Sequence, residues 1–506
     1  MYYSNECELV DYEFEDILKI FFLKDELVKI KGPWEQDSGA FLFCSFTAES
    51  EQGILIRLRD ANFNRELKIP LDTDFNRITI KQTAISEENR QYLKALRKSF
   101  KRQLFKLLQD YTGKLIPWGV MTGIRPTKLV NEFLDGGCDK EQVLTTLIND
   151  YYVTESKAKL LYDVSVNQRE LLRTSDNTSA SLYIGIPFCP TRCLYCSFSS
   201  STIGQYKKHV NTYIEVLLKE IGHTAGLLTQ NGLKLESIYI GGGTPTSINA
   251  EQLRTLLEGV EGLLDLGFLR EYTLEAGRPD TIDSHKLEVI KESKVSRISI
   301  NPQSMNATTL ERIGRNHTPE EVERAFLSAR ELGFDNINMD VICGLPGEDL
   351  GMFLETMERI RKLEPDSLTV HTMALKRASR LTTEMDSYNL QKEYQQAAGM
   401  VEAAHKYAAL MNMEPYYLYR QKNILGNLEN VGYSKAGKEC LYNIQIMEER
   451  QSIFACGAGA VTKVVFPNNR IERAFNVKSV EEYLGRIDEM LLRKESILGS
   501  VLGDEQ

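Results

Sequence analysis

The chain has 506 residues, of which 42% are hydrophobic and 26% charged, as is ordinary for a globular protein of two or three domains. Its formal net charge of -10 argues against a general nucleic-acid-binding protein, because contacts to phosphates need a positive field. The acidic N-terminus does not resemble a signal peptide, and no stretch approaches the ~18 uncharged residues of a membrane span. Nine cysteines, mostly dispersed, suit a reducing compartment, so we expect a cytoplasmic protein without a membrane span.

Residues 1–172 are expected to form a small α+β domain with a helical connector. Short β-type runs alternate with charged turns in FLFCSFTAES, ILIRLRD and ELKIPLD, and the pattern becomes helical from about Glu87. The later segment WGVMTGIRPTKLVNEFLDGG places Trp118, Arg125 and Lys128 around a Gly/Pro turn. This segment is either a helix start with solvated basic residues or an anion-binding contribution to an active site.

The polar stretch RTSDNTSAS at 173–181 marks a boundary, after which short apolar runs alternate with helical patterns. The predicted strands are Leu182–Ile186, Ser237–Ile240, Tyr272–Glu275, Arg297–Ile300, Asn336–Ile342 and Ser367–Thr372. The predicted helices lie near 208–227, 250–264, 284–292, 319–332 and 350–363. Such alternation predicts an α/β fold with a parallel, TIM-like partial (β/α)6 barrel over 178–385. An active site would lie at the C-terminal ends of the strands.

From about 385 the pattern changes to a long helix that ends near Leu410. A Tyr-rich segment, PYYLYRQKNILGN, and the GAGA and VTKVVFPNNRIERAFN segments follow. We predict a separate C-terminal α+β domain over 386–506, which ends in a β-ribbon and an amphipathic helix.

Three cysteines are clustered in the run YIGIPFCPTRCLYCSFSS, just after the first predicted barrel strand. Cys189, Cys193 and Cys196 supply three thiolates, enough for three corners of a 4Fe-4S cluster, and no fourth nearby cysteine completes a ferredoxin-type set. The remaining iron would be open to a substrate, which indicates catalysis rather than electron storage. The alternatives are a zinc site or a chance cluster, although zinc sites usually add a second ligand pair that the sequence does not show.

Glycines and polar residues recur at the ends of the later strands. The second strand runs into GGGTPTS, whose glycines let the backbone approach a ligand closely, although a glycine triplet alone is more often a tight turn. Glu275, Gln303, Asp340 and His371 follow at successive strand ends. Because a buried carboxylate is costly unless it is paired, we expect these residues to form a ring above the barrel mouth. Singly, each could instead be a capping residue.

These motifs together resemble the radical S-adenosylmethionine superfamily, and within it the oxygen-independent coproporphyrinogen III oxidase group. The resemblance covers about 180–480 and rests on YIGIPFCPTRCLYC, GGGTPT, the Glu275 and Gln303 strand ends, LERIGRNHTPEEV, DVICGLPGE and GAGA. The N-terminal extension and YRQKNILGNLENVGY are similar to the HemZ-type branch, the coproporphyrinogen dehydrogenases.

The resemblance implies that Cys189, Cys193 and Cys196 bind a 4Fe-4S cluster with one open iron. It also implies that S-adenosylmethionine is surrounded by Tyr183, Tyr195, Gly242, Gly243, Thr244, Glu275, Gln303, Arg315, Asp340 and Ala374. In the oxidases, a 5'-deoxyadenosyl radical removes a propionate hydrogen, and loss of carbon dioxide and an electron leaves a vinyl group. The implied activity is an oxidoreductase that makes protoporphyrinogen IX for anaerobic haem biosynthesis, supplied with electrons by an unidentified donor such as a flavodoxin or ferredoxin.

Two positions depart from the oxidase pattern and leave the exact tetrapyrrole substrate open. Gly185 stands where the oxidases usually have His, and Phe198 stands where they have a further Cys. A related haem chaperone offers a competing interpretation, but its HNxxYW motif is replaced here by QKNILGN, with Lys422 in the place of His. Radical-based processing of another tetrapyrrole is the third alternative.

A porphyrinogen with four propionates needs cations within an otherwise acidic protein. The candidates are Lys376, Arg377 and Arg380, which follow the sixth strand, and Arg420 in the Tyr-rich segment. Arginine can hold a carboxylate through two parallel hydrogen bonds. Each of these residues could equally be an ordinary solvated charge.

Overall fold

The structure is a computed structural model that describes residues 1–22, 26–31, 39–47, 53–71, 87–176, 178–198, 200–374, 390–421, 427–466 and 470–503. The chain divides into two compact units. Unit 1 contains Met1–Gly123 and Glu132–Tyr162, and unit 2 contains Ile124–Asn131 and Asp163–Gln506. The division into three domains at 172 and 385 stays a prediction. Within the described residues, no helix has the length and apolar character needed to span a membrane.

Unit 1 contains a five-stranded sheet with the strand order β2-β1-β3-β4-β5. Its strands are β1 (Tyr2–Asn5), β2 (Val28–Lys29), β3 (Phe41–Thr47), β4 (Gly53–Arg59) and β5 (Asn64–Pro70). The helices up to residue 172 are α1 (Asp11–Phe21), α2 (Glu87–Thr112), α3 (Thr127–Asp135), α4 (Lys140–Tyr151) and α5 (Glu155–Leu172). Phe14, Phe100 and Phe105 are fully buried in the core that α1 and α2 share with the sheet, which explains the apolar stripe on these helices.

Unit 2 is built on an eleven-stranded sheet and a separate two-stranded pair. Its strands are β6 (Ser179–Ile186), β7 (Phe188–Cys189), β8 (Ser201–Thr202), β9 (Lys234–Gly242), β10 (Glu271–Gly277), β11 (Arg297–Ile300), β12 (Ile337–Cys343), β13 (Ser367–Thr372), β14 (Glu414–Tyr419), β15 (Asn430–Ser434), β16 (Ser452–Cys456), β17 (Val461–Val465) and β18 (Ile471–Phe475). The strand order of the large sheet is β14-β15-β13-β12-β11-β10-β9-β6-β16-β17-β18. Six central strands are mutually parallel and follow one another in chain order, which is the predicted partial (β/α)6 arrangement.

Helices separate the parallel strands, as each crossover requires. They are α6 (Ile203–Tyr206), α7 (Val210–Gln230), α8 (Ala250–Leu263), α9 (Ser284–Glu292), α10 (Ala307–Arg312), α11 (Pro319–Glu331) and α12 (Leu350–Leu363). Local sequence fixes where several of them begin. At α11, for example, the Thr318 side chain accepts from the Glu321 backbone N–H while the Glu321 carboxylate accepts from the Thr318 N–H, which forms a capping box.

The two faces of the parallel strands differ in polarity. Leu182, Ile184 and Ile186 alternate along β6 and are fully buried, as expected for side chains beneath covering helices. Polar side chains on the other face are bonded across strands: the Asn338 amide donates to Ser299 Oγ at 2.8 Å and accepts from Ser367 Oγ at 3.1 Å. The barrel therefore has a polar, hydrogen-bonded interior, and its parallel register carries all six C-terminal strand ends to one edge.

The α/β fold class is confirmed, and the strands and helices predicted between 178 and 372 are observed within a few residues of their predicted bounds. The short elements β7, β8, α6 and α10 were not predicted. The later helices are α13 (Leu390–Leu410), α14 (Leu441–Glu448), α15 (Val480–Gly485) and α16 (Ile487–Gly503). The later strands extend the barrel sheet at both edges, which the sequence did not indicate. At one edge β15 pairs antiparallel with β13, and at the other β16 pairs parallel with β6.

Candidate functional site

The three clustered cysteines lie in the loop that follows β6. Cys189 ends the short strand β7, and Cys193 and Cys196 follow within the loop, where the Cys196 N–H donates to the Cys193 carbonyl at 3.2 Å. The Leu194 N–H donates to the Ile313 carbonyl at 3.0 Å, just beyond α10. The loop is therefore held at the C-terminal edge of the parallel strands.

The glycine run at the end of β9 packs directly against the cysteine loop. The Thr244 N–H donates to the Phe188 carbonyl at 2.7 Å, and Thr244 Oγ1 lies 3.6 Å from Cys189 Sγ. A Cβ added to Gly243 would lie 2.5 Å from the Phe188 oxygen, closer than side chains ever approach. Gly242 has φ of +113°, a conformation that favours glycine. Glycine at these two positions allows the ends of two strands to come into backbone contact.

Glu275 stands at the end of β10, among tyrosines. Its carboxylate accepts a short hydrogen bond from Tyr239 Oη. Burial raises the pKa of Glu275 to about 7, against the opposing effect of the Tyr239 hydrogen bond and with a further increase from Asp340. The Tyr239 ring stacks on Tyr442 at 4.6 Å between centroids and on Tyr183 at 6.3 Å. A titratable carboxyl with a pKa near neutrality thus faces an aromatic wall.

Gln303 and Asp340 are joined through their backbones. Gln303 has φ of +66°, and its N–H donates to the Asp340 carbonyl at 2.9 Å. The Gln303 side chain is buried, and its Oε1 has no hydrogen-bond partner among the described residues. Asp340 accepts from the Asn338 amide at 2.6 Å and lies 3.6 Å from His371 Nε2. Burial acts to raise the pKa of Asp340, but His371 and Asn338 hold it below its usual value.

Arg315 lies beyond α10, beneath the cysteine loop. Its side chain is buried; Nη1 donates to the Asn301 carbonyl at 2.5 Å and Nη2 to Tyr195 Oη at 3.2 Å. Within the described ranges, its Nε has no hydrogen-bond partner and its guanidinium forms no ion pair. A buried guanidinium that forms no ion pair within the described part of the chain, and that contacts Tyr195 of the cysteine loop, is suited to an anionic group bound there.

Comparisons with known proteins agree with this geometry. The family model of the Radical SAM superfamily matches residues 183–360. The chain is 41% identical over 425 residues to the oxygen-independent coproporphyrinogen-III oxidase-like protein HemZ of Bacillus subtilis, which covers 81% of this chain and 84% of that protein. The chain belongs to the radical SAM superfamily, in its HemN/HemZ-like group. Membership implies a 4Fe-4S cluster and S-adenosylmethionine as cofactors.

Two further relatives bear on the group. The chain is 32% identical to the heme chaperone HemW of Bacillus subtilis over 312 residues, which is 61% of this chain and 76% of that protein. The solved structure of coproporphyrinogen III oxidase (HemN) from Escherichia coli matches with a TM-score of 0.50 and 22% identity, covering 64% of this chain and 72% of that one. This structural likeness supports the radical SAM fold.

The site contains residues that sequence reasoning did not single out. Tyr239 and Tyr442 form the aromatic wall, and Arg278 donates to the cysteine loop from just past the end of β10. Tyr239 lies two residues before the glycine run, so strand alternation could have placed it on the inner face. Arg278 lies only three residues after Glu275, so its position just past the end of the same strand could also have indicated a place in the site. Tyr442 gave none, because it enters from α14, about 200 residues away along the chain.

A cavity of about 190 Å³ lies beside the cysteine loop. It is lined by Tyr183, Gly185, Ile186, Pro187, Ser197, Phe198, Gly242, Ala458, Gly459 and Ala460. Two of these, Gly185 and Phe198, are the positions at which the sequence departs from the oxidase pattern. Three residues of the GAGA segment also line it, so motifs that are far apart in the sequence of unit 2 meet at this cavity.

The candidate cations are only partly described. Arg420 is buried, and its guanidinium donates to the Asn427 carbonyl at 2.9 Å. Lys376, Arg377, Arg380 and Lys422 lie outside the described residues. Ala374 is buried just past the end of β13. Asp340, predicted at a strand end, lies instead in the middle of β12.

The basic turn near residue 125 has a structural explanation. Arg125 forms a short ion pair with Glu449, which is also 3.0 Å from Lys463 and 3.2 Å from Arg473. The Arg125 charge is therefore paired with a carboxylate of its own unit. Lys128 is exposed and Trp118 is buried.

Among the described residues, no three His, Cys, Asp or Glu side chains are arranged to hold a single metal ion.

Proposed function

We infer that Cys189, Cys193 and Cys196 hold the 4Fe-4S cluster of the superfamily with one iron open. The observation that fits this assignment is the charge of the pocket, because Arg315 is a buried cation without an ion pair among the described residues. A cluster with three thiolates carries negative charge, which this guanidinium would offset. The backbone contact between the glycine run and the Cys189 segment supports a fixed loop geometry.

The residues around the glycine run are proposed to hold S-adenosylmethionine. Gln303 Oε1 is a buried acceptor without a partner among the described residues, as expected for an atom that a ligand completes. Glu275 would hold the amino group, and Asp340 would accept from ribose hydroxyls. The remaining contacts would come from Tyr183, Tyr195, Gly242, Gly243, Thr244, Arg315 and Ala374. When bound, the reduced cluster and S-adenosylmethionine supply a 5'-deoxyadenosyl radical.

The proposed reaction is oxidative decarboxylation of coproporphyrinogen III propionates to vinyl groups, which yields protoporphyrinogen IX. Each propionate loses a hydrogen atom, carbon dioxide and one electron. The observation that carries this proposal is the joint presence of the cysteine loop and the glycine run with four polar residues of the parallel strands and their ends, in a chain 41% identical to HemZ. These four are Glu275, Gln303, Asp340 and His371. The protein's own contribution is orientation of the propionate and exclusion of water. A flavodoxin or ferredoxin is the proposed class of electron donor.

Anaerobic incubation with coproporphyrinogen III, S-adenosylmethionine and dithionite should produce porphyrinogen that lacks one or two carboxyl groups by mass spectrometry. Formation of 5'-deoxyadenosine should be faster with this substrate than without it, because correct placement commits the radical to hydrogen abstraction. A porphyrinogen without propionates is the control and should give no increase. Unchanged coproporphyrinogen after many equivalents of cofactor would contradict the proposed reaction.

Haem binding is the second candidate function, favoured by the 32% identity to HemW. Under that interpretation, the protein should bind haem in a fixed stoichiometry and leave coproporphyrinogen unchanged. The replacement of the HNxxYW motif by QKNILGN counts against it. The same incubation, repeated with haem and followed by visible absorption, separates the two functions.

Glu275→Gln is expected to weaken S-adenosylmethionine binding about 10- to 150-fold near pH 8, since a lost charged hydrogen bond costs about 1.5–3 kcal/mol. Because burial raises the pKa of Glu275 to about 7, wild-type affinity should increase as pH rises through 7 and the carboxylate forms. The Gln variant cannot ionise and should lose this increase. Equilibrium dialysis at about pH 6 and pH 8 measures both effects.

The Gln variant also controls for titration of the cofactor's own amino group, which is the same in both proteins. Iron content should be equal in the two, because Glu275 is placed around the ligand rather than at the metal. Wild-type affinity and an unchanged pH profile in Glu275→Gln would refute the role proposed for this residue.

A further inference from the structure

Arg278 connects the end of β10 to the cysteine loop. Its side chain is only 3% exposed, and its Nη1 donates to Thr191 Oγ1 at 2.8 Å and to the Thr191 carbonyl at 3.2 Å. The same nitrogen lies 3.8 Å from Cys193 Sγ, within hydrogen-bond range for sulfur. One guanidinium group thus contacts both the backbone of the loop and one of its thiols.

A carboxylate fixes the orientation of this guanidinium. Arg278 Nε donates to Asp280 Oδ1 at 3.0 Å, and Nη2 donates to Oδ2 at 2.7 Å. Two parallel bonds of this kind hold the guanidinium plane in one orientation. Although burial acts to raise the pKa of Asp280, Arg278 holds it below its usual value, so the carboxylate stays ionised near neutral pH. The third nitrogen, Nη1, therefore points toward the cysteine loop.

A hydrogen bond also holds the cysteine loop on its other side. Thr191 Oγ1, which accepts from Arg278, donates in turn to the Gly314 carbonyl at 3.1 Å. Thr191 therefore bridges the end of β10 and the turn after α10. Loss of either hydrogen bond would free the segment between Cys189 and Cys193 on one side.

We propose that Arg278 is a positioning residue for the iron-sulfur cluster, which fixes the cysteine loop and donates an N–H to the Cys193 sulfur. This inference rests on the proposed ligation by the three cysteines. Hydrogen bonds to ligand sulfurs and nearby positive charge stabilise the reduced cluster, because reduction adds negative charge. Arg278 therefore slows loss of the cluster and raises its reduction potential.

The test compares Arg278→Gln, Arg278→Lys and Thr191→Val with wild type and with Arg254→Gln. Arg254 is the matched control, since it is an arginine on α8 that forms an ion pair with Glu292 at 2.6 Å, away from the loop. Each full-length protein is reconstituted anaerobically without substrate. Iron retention is measured during challenge with a chelator, and the midpoint potential is measured by redox titration followed by electron paramagnetic resonance.

Arg278→Gln should retain iron about 10- to 100-fold less well than wild type and have a more negative midpoint potential. Arg278→Lys keeps the charge but cannot contact Asp280 and Thr191 together, so iron loss should be fast while the potential stays nearer that of wild type. Thr191→Val should lose iron faster because it removes the bridge. Arg254→Gln should match wild type in both measurements.

Wild-type iron retention and potential in Arg278→Gln would overturn the inference, as would wild-type retention in both Arg278→Lys and Thr191→Val. The last two variants keep the test decisive if Arg278→Gln does not fold, which circular dichroism would reveal. Cys193→Ala separates the two levels of the proposal. Iron loss in Cys193→Ala together with unchanged Arg278 variants would reject only the role of Arg278, whereas full iron in Cys193→Ala would reject the ligand assignment itself.

Discussion

Cys193→Ala is expected to abolish the 4Fe-4S cluster of the anaerobically reconstituted protein. Removal of one of only three thiolates leaves two protein ligands, and no other cysteine lies in the loop between β6 and α6 to replace it. Iron and sulfide analysis should fall to background, and the visible absorption of the cluster should disappear. Cleavage of S-adenosylmethionine should be lost with it.

Cys440→Ser is the matched control for this prediction. Cys440 is fully buried in the same unit, but its thiol donates to Glu271 at 3.2 Å, a bond that a serine hydroxyl can replace. Its cluster content should equal that of wild type. A full complement of iron in Cys193→Ala, with an unchanged spectrum, would show that the cysteine loop is not the cluster site.

The course of the parallel strands could be predicted because each strand is a short apolar run bounded by a helix with its own start signals. Arg297–Ile300 and Ser367–Thr372 were predicted with the observed bounds. The parallel connection rule then places every C-terminal strand end at one edge, which is why Glu275 and Asp340 were predicted to share a site. Asp340 lies in the middle of β12 rather than at its end. The electrostatic interaction between these two carboxyls agrees with that assignment.

Contacts between distant parts of the chain could not be predicted from local sequence patterns. The pairing of β15 with β13, and of β16 with β6, depends on tertiary packing rather than on a local pattern. The stacking of Tyr442 on Tyr239 is of the same kind. Arg278 reaches Cys193 across 85 positions, so its local sequence shows an arginine at a strand end but not its partner.

The particular S-adenosylmethionine contacts came from the resemblance, whereas the structure adds physical reasons for some of them. A Gly triplet by itself could be an ordinary tight turn. The distance from a Gly243 Cβ to the Phe188 oxygen distinguishes the two explanations, because a tight turn alone would not require this close approach between separate strands. Substitution of Gly243 therefore tests directly whether this close approach is needed.

Gly243→Ala is expected to disrupt both cofactor sites. The added Cβ would lie 2.5 Å from the Phe188 oxygen and 2.9 Å from its nitrogen, and these are backbone atoms that no rotamer change can move aside. The end of β9 must separate from β7, which carries Cys189. We expect a loss of about 1–3 kcal/mol in the free energy of unfolding. Loss of S-adenosylmethionine binding and of much of the bound iron should accompany it.

Gly226→Ala is the matched control, because Gly226 lies within α7 and a Cβ there would meet nothing within 4 Å. That variant should be more stable by about 0.5–1 kcal/mol, since alanine loses less backbone entropy in a helix than glycine does. Thermal unfolding, iron analysis and equilibrium dialysis with S-adenosylmethionine compare the two alanines directly. Wild-type iron content and affinity in Gly243→Ala would mean that the strand ends can separate without harm, and the glycine run would then have no role in holding the cofactors.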